Sequence, residues 1–179
     1  MTPYVALLRA VNVGGTGKLP MAELRAMCAA RGYCNVRTYI ASGNVVFETD
    51  LDETRVKAEL EAALQAYAGR PVRAMVRSAK EMAAVLSANP FTTVTPERTV
   101  AVFLDEAPPA DLLAGVSGRT TEEIARGVRE IYIRYVDGQG ASKLKLPAAN
   151  SGTARNMNTV AKLAEMAAGE ESRDRNPIA

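Results

Sequence analysis

Val36-Arg37-Thr38-Tyr39-Ile40-Ala41-Ser42-Gly43-Asn44-Val45-Val46-Phe47 holds two short strand-like runs around one turn. From Asn35 to Ala41, Val36, Thr38 and Ile40 fall on one face at the period of two that a half-buried strand requires. Ser42-Gly43-Asn44 is turn chemistry. Val45, Val46 and Phe47 return as the hairpin partner. What flanks this hairpin decides the fold.

Upstream, Tyr4 to Leu8 is an apolar run that reads as a buried strand. Pro20 stands where the first residue of a helix would stand. Met21, Leu24 and Cys28 repeat at helical spacing, and Gly32 closes the helix. Downstream, Asp52 is a good N-cap, with Leu51 and Val56 placed for a hydrophobic staple. Val56, Leu60, Leu64 and Tyr67 form an apolar stripe that ends at Gly69. Pro71 to Arg77 supplies another strand. The order strand, helix, strand, strand, helix, strand is that of a ferredoxin-like unit.

The second half repeats that order more weakly. Ser78 and Glu81 form a capping box for a short helix that stops before Pro90. Val100 to Leu104 reads as a strand, Pro108 to Leu113 as a short helix, and Thr120 to Arg126 as helix or strand. Ile131, Ile133 and Tyr135 alternate with Tyr132 and Arg134 in a strand. Asn156 to Ala168 reads as a helix with Val160, Leu163, Ala164 and Ala167 inward. The expectation is an α+β fold: βαββαβ over residues 1–78, a weaker βαββα copy over 79–169 packed on it, and a polar tail over 170–179. The sheets are expected to be mainly antiparallel.

Composition narrows the chemistry. The net charge of +2 is uneven. Residues 1–47 hold five basic side chains and one acidic, and residues 134–162 hold five and one, so the remainder sums to −6. Two basic stretches of this kind favour an anionic partner. The chain has no histidine, which removes Ser-His-Asp and Cys-His catalysis and HExxH zinc sites. Cys28 and Cys34 have neither CxxC nor zinc spacing, so no metal or cofactor is expected and both read as reduced thiols. No apolar run is long enough to span a membrane, and no secretory signal stands at the N-terminus. A cytoplasmic protein is the expectation; its oligomeric state cannot be read from the sequence.

Three polar segments carry the functional expectation. Arg9-Ala10-Val11-Asn12-Val13-Gly14-Gly15-Thr16-Gly17-Lys18 leaves a strand and enters a helix, where glycines let backbone N–H groups approach an anion. A Walker A loop would need Gly at position 12 and Ser or Thr at position 19, where the chain has Asn12 and Leu19. Ser42 and Asn44 belong to the hairpin turn. Thr153-Ala154-Arg155-Asn156-Met157-Asn158-Thr159 has more polar side chains than a helix cap requires. An arginine at a helix start opposes the macrodipole.

These segments together carry a resemblance. Leu7 to Gly15, Lys18 to Leu24, Val36 to Phe47, Tyr135 to Leu144 and Thr153 to Val160 resemble the bacterial domain-of-unknown-function family 1697. The resemblance implies an α+β fold of two interleaved ferredoxin-like halves and no activity. Ala10 stands where that family usually has Gly, and Met157 where it usually has Trp.

The first functional expectation is therefore a protein that binds a small phosphate- or carboxylate-bearing molecule. Its site would draw on Arg9, Asn12, Gly14, Gly15, Lys18, Ser42, Asn44, Lys143, Arg155 and Asn156. The second is an RNA- or DNA-binding module that stacks bases on Tyr39, Phe47, Tyr132 or Tyr135. The third is an enzyme using the same pocket, with Lys18, Lys143 or Asp137 reactive.

Overall fold

The computed structural model describes residues 1–14 and 17–169; Gly15 and the 170–179 tail lie outside the described residues. The described residues form eight strands, in two four-stranded antiparallel sheets, and four α-helices. The chain divides into two compact units, Met1–Met82 with Lys162–Ala179, and Ala83–Ala161.

The first unit runs β1 (Thr2–Leu8), α1 (Met21–Ala29), β2 (Cys34–Thr38), β3 (Asn44–Thr49), α2 (Glu53–Ala68) and β4 (Ala74–Ser78). Its sheet has the order β2-β3-β1-β4. Alternation along the strands sends Tyr4, Ala6 and Leu8 of β1, Val45 and Phe47 of β3, and Val76 of β4 to one face. Leu24 and Cys28 of α1 and Val56, Leu60 and Leu64 of α2 cover that face. Tyr33 stacks on Phe47 with ring centroids 4.6 Å apart. Val5, Leu7, Met75 and Arg77, on the opposite face, are buried as well. The signals for α2 act as expected: Asp52 accepts from the Arg55 N–H at 2.8 Å, and Gly69 takes φ 67° to end the helix. Arg37 donates to the Met166 carbonyl at 2.8 Å, near the end of a later helix.

The hairpin is shorter than its pattern. β2 ends at Thr38, and Ile40 leaves the strand with φ 50°. Val36 still packs on the core, but Ile40 is half exposed.

The second unit's sheet has the order β6-β7-β5-β8. Its strands are β5 (Thr99–Phe103), β6 (Glu123–Arg126), β7 (Glu130–Arg134) and β8 (Thr153–Asn156). Helices α3 (Ala79–Ser87) and α4 (Met157–Ala168) precede and follow them in the chain. The capping box of α3 forms, with Ser78 N donating to Glu81 at 2.8 Å and Glu81 N donating to Ser78 Oγ at 3.2 Å.

Three expectations change here. Pro108 to Leu113 forms turns and bends instead of a helix. Arg126 takes the carbonyls of Pro108, Pro109 and Ala110, so those acceptors are withdrawn from helical bonding. Residues 123–126 are strand, which settles the open choice for 120–126. The final helix starts at Met157, because Thr153 to Asn156 pair with β5 from Phe103 to Val100. Arg155 therefore stands on a strand, and the macrodipole argument for it lapses.

Candidate functional site

The connection from β1 to α1 is long, and one side chain organises it. Asn12 donates from Nδ2 to the Leu19 and Ala41 carbonyls, each at 2.8 Å, and its Oδ1 accepts from Leu19 N at 2.7 Å. It thereby closes the loop on itself and ties it to the β2–β3 hairpin. Leu8 N also donates to the Gly43 carbonyl at 2.8 Å. Gly43 takes φ 84°, and a Cβ there would lie 2.4 Å from Val11 Cγ2, so only glycine lets the two loops meet.

Backbone strain gathers at this end of the sheet. Ala10, Asn12 and Ile40 all have φ between 50° and 54°, the left-handed region that L side chains rarely adopt. Such residues persist where surrounding bonds over-determine them, and they cluster at functional sites. The Gly that the resemblance implies at position 10 would fit that backbone without strain. Gly14, at φ 51°, faces open space.

Lys18 stands between two cavities. One, of about 270 Å³, has an apolar floor of Val11, Leu64 and Val72, with Tyr67 beside Lys18 and Arg70 at its edge. The other, of about 430 Å³, lies against Asn12, Gly14, Pro20, Met21 and Ala41. Arg70 Nη2 is 3.9 Å from where a Cβ on Gly17 would be. Among the described residues, neither Lys18 nor Arg70 has an ion-pair partner. Two exposed cations without counter-charges beside an apolar floor can hold an anion that carries an apolar body.

The expected site residues fall into distinct roles. Arg9, Gly14 and Lys18 are exposed around the loop. The side-chain amide of Asn12 is occupied by backbone, so it braces the loop. Asn44 is wholly buried and donates to the Tyr39 carbonyl at 2.9 Å and to Ser42 Oγ at 3.0 Å. Ser42 and Asn44 are thus turn structure. Arg70 was not legible as a site residue: it follows a helix-ending glycine, and only the packing of α2 brings it beside Gly17.

Lys143, Arg155 and Asn156 belong to the second unit. Lys143 is exposed, and its carbonyl packs against Gly118, where a Cβ would sit 2.1 Å away. Arg155 is 7 % exposed. Its Nη1 donates to Thr153 Oγ1 at 2.7 Å and to the Ala154 carbonyl at 2.9 Å. Burial lowers its guanidinium to about 10, which leaves it charged at neutral pH. Asn156 caps α4 by accepting from Thr159 N at 2.9 Å. Asp137 accepts from Thr121 Oγ1 at 2.8 Å. Cys28 and Cys34 are free thiols; Cys28 is buried, and desolvation pushes it up to about 12. No group of His, Cys, Asp and Glu suited to a metal occurs among the described residues. Among the same residues, no helix is long and apolar enough to cross a membrane.

A family model described as "Protein of unknown function (DUF1697)" matches residues 1–132. The chain is similar to the structure of conserved bacterial protein SP0830 from Streptococcus pneumoniae. The two share 24 % identity and a TM-score of 0.74, over 93 % of this chain and 98 % of that one. At that identity the likeness concerns the fold alone. No curated protein matches the chain.

Proposed function

The chain belongs to the DUF1697 family, and from that premise and the loop geometry we propose that it binds a small phosphate- or carboxylate-bearing molecule. The site is the loop from Arg9 to Lys18 together with Arg70. The carrying observation is the pair Lys18 and Arg70, without ionic partners among the described residues, at the edge of a cavity with an apolar floor. The strained backbone at Ala10, Asn12 and Ile40 supports a site that is built before its ligand arrives. We also read the first unit as ferredoxin-like, and the second as keeping the strand order of that unit without its two crossover helices. In the first unit, helices follow β1 and β3 around the antiparallel order β2-β3-β1-β4, as a βαββαβ unit requires. The free thiols support a reducing, cytoplasmic setting.

The nucleic-acid reading has less support. Phe47 and Tyr132 are buried, and Tyr39 and Tyr135 lie beyond the ends of their strands, so these four offer no stacking platform.

Calorimetric titration with inorganic phosphate and with phenyl phosphate tests the proposal. Phenyl phosphate should bind the more tightly, because the floor takes its ring. Lys18→Gln and Arg70→Gln should each weaken it by about tenfold, the scale of a charge-assisted hydrogen bond. Added salt should weaken it further. Undiminished affinity in the double variant, or binding of neither anion, would overturn the reading. Tight binding of a short single-stranded oligonucleotide alone would favour the nucleic-acid module.

A further inference from the structure

We infer that the second unit holds a separate ligand cavity of its own, suited to a small apolar molecule with one anionic group. Two positions in the two sheets are equivalent. In β4, Val76 precedes buried Arg77 and the capping Ser78; in β8, Ala154 precedes buried Arg155 and the capping Asn156. Val76 is 1 % exposed beneath α1 and α2. Ala154 is exposed, because no α-helix lies between β5 and β6 or between β7 and β8, where the described chain forms only two single 3-10 turns, Gln139–Ala141 and Pro147–Ala149. Irregular chain covers that face instead and leaves a cavity of about 520 Å³, the size of a small-molecule site.

The floor is Val102, Ile133 and Ala154, and Leu144, Leu146 and Tyr135 line it as well. The covering segments are fixed by close backbone approaches. Ser117 and Lys145 exchange two backbone hydrogen bonds at 3.0 and 2.9 Å. Gly118, at φ 64°, lies against the Lys143 carbonyl, and a Cβ on Gly152 would lie 2.6 Å from the Phe103 carbonyl. The cavity is therefore built by the fold, and its floor is open because Ala154 and Gly152 are small.

The charge at the lining sets the ligand class. Lys145 lines the cavity, and its ammonium has no ion-pair partner among the described residues. Glu122, the carboxylate bonded by Ser142 three residues before Lys145, is 4 % exposed and already accepts from Thr120 N at 2.7 Å and from Ser142 Oγ. One available cation over an apolar floor selects an amphipathic monoanion, such as an aromatic or short aliphatic acid.

Fluorescence titration with 1-anilinonaphthalene-8-sulfonate and with the uncharged N-phenyl-1-naphthylamine tests this. Both probes should bind the native protein. Ala154→Leu, which fills the floor from an exposed position, should weaken both by about tenfold while circular dichroism and melting stay native. Lys145→Gln should weaken the sulfonate by about fivefold and leave the neutral probe unchanged. Binding of neither probe, or unchanged affinity in Ala154→Leu, would overturn the inference. So would loss of the sulfonate in the Lys18→Gln, Arg70→Gln variant, which would assign the probe to the first unit and leave the phosphate proposal standing.

Discussion

The two units have corresponding sheets and different covers. Both sheets run antiparallel with the third strand of the set between the first and the second, and with the fourth at the far edge. Both end in a buried arginine followed by a residue that caps a helix. The first unit lays α1 and α2 on its sheet and buries the core-facing residues of β1, β3 and β4; the second lays turns on its sheet and leaves a cavity. A sheet needs its apolar face covered, but alternation along strands does not say what covers it. The cover, more than the sheet, decides where a ligand can enter.

The largest effect should separate the covers. Leu60 is wholly buried on α2, whereas Leu144 is half-buried at the rim of the second unit's cavity. Leu60→Ala should cost about 3 kcal/mol in urea unfolding. Leu144→Ala should cost under about 1 kcal/mol. Equal costs would mean that the turns pack as tightly as the helices.

The same contrast explains what was legible in the sequence. Asp52, Gly69, Ser78 and Glu81 act locally, through caps that close within one turn, so the helices they bound could be read directly. The hairpin was legible through Ser42-Gly43-Asn44, although its first strand stops at Thr38. Thr153 to Asn156 was not, because Thr-Ala-Arg-Asn lacks a strand's apolar signature and becomes one only through pairing with β5. The turn at 108–113 likewise depends on Arg126, far along the chain. Of the proposed site, Lys18 and Gly14 could be found from glycine spacing and charge, while Arg70 needed tertiary structure. Asn12 was expected as a ligand contact, and the structure shows its side chain bonded to the Leu19 and Ala41 backbone.

Two glycines, one in each unit, also differ. Gly43 needs both its positive φ and its missing Cβ, whereas Gly152 needs only the missing Cβ. Gly43→Ala should cost about 2 kcal/mol or more, the sum of a left-handed alanine and a clash with Val11 and Leu8. Gly152→Ala should cost less. A reversed order, measured by thermal unfolding, would show that the two loops of the first unit can separate.

Acid and alkali should act through different groups. Ser142 and the Thr120 N–H hold the Glu122 carboxyl down at about 2. A carboxyl lowered on folding stabilises above its unfolded value of 4.5, and that contribution fades as pH falls from 4.5 through 2. Glu122→Gln, in the second unit, should flatten this acid limb. Burial raises Cys28 from 9.0 to about 12, and burial with the Glu59 carboxylate raises Tyr33 from 10.0 to about 12. Groups raised on folding stabilise below their unfolded values and lose that effect as pH climbs through the folded ones. Stability should fall by about 1 kcal/mol from pH 9 to 10 through Cys28. In Cys28→Ala the fall should begin near pH 10 instead, where Tyr33 takes over. Denaturant midpoints across pH decide both limbs, and an unchanged onset in Cys28→Ala would remove the thiol from the account.

The smallest effect concerns strain, where the units differ again. Every described non-glycine residue with positive φ lies in the first unit; in the second, Gly115, Gly118 and Gly138 take that role. Ile40 is the costliest case, being β-branched at φ 50°. Its side chain is 49 % exposed, so little burial offsets the strain. A left-handed L residue costs about 1–2 kcal/mol, and glycine returns part of that as unfolded-chain entropy. Ile40→Gly should therefore stabilise by up to about 1 kcal/mol, a rise of about 2–4 °C in Tm for a chain of this size. The strained hairpin is tied to the loop by Asn12 through Ala41. If that strain holds the loop ready for an anion, phenyl phosphate affinity should fall as Tm rises. A higher Tm with unchanged affinity would separate the strain from binding, and a lower Tm would show that Ile40 packs against the loop.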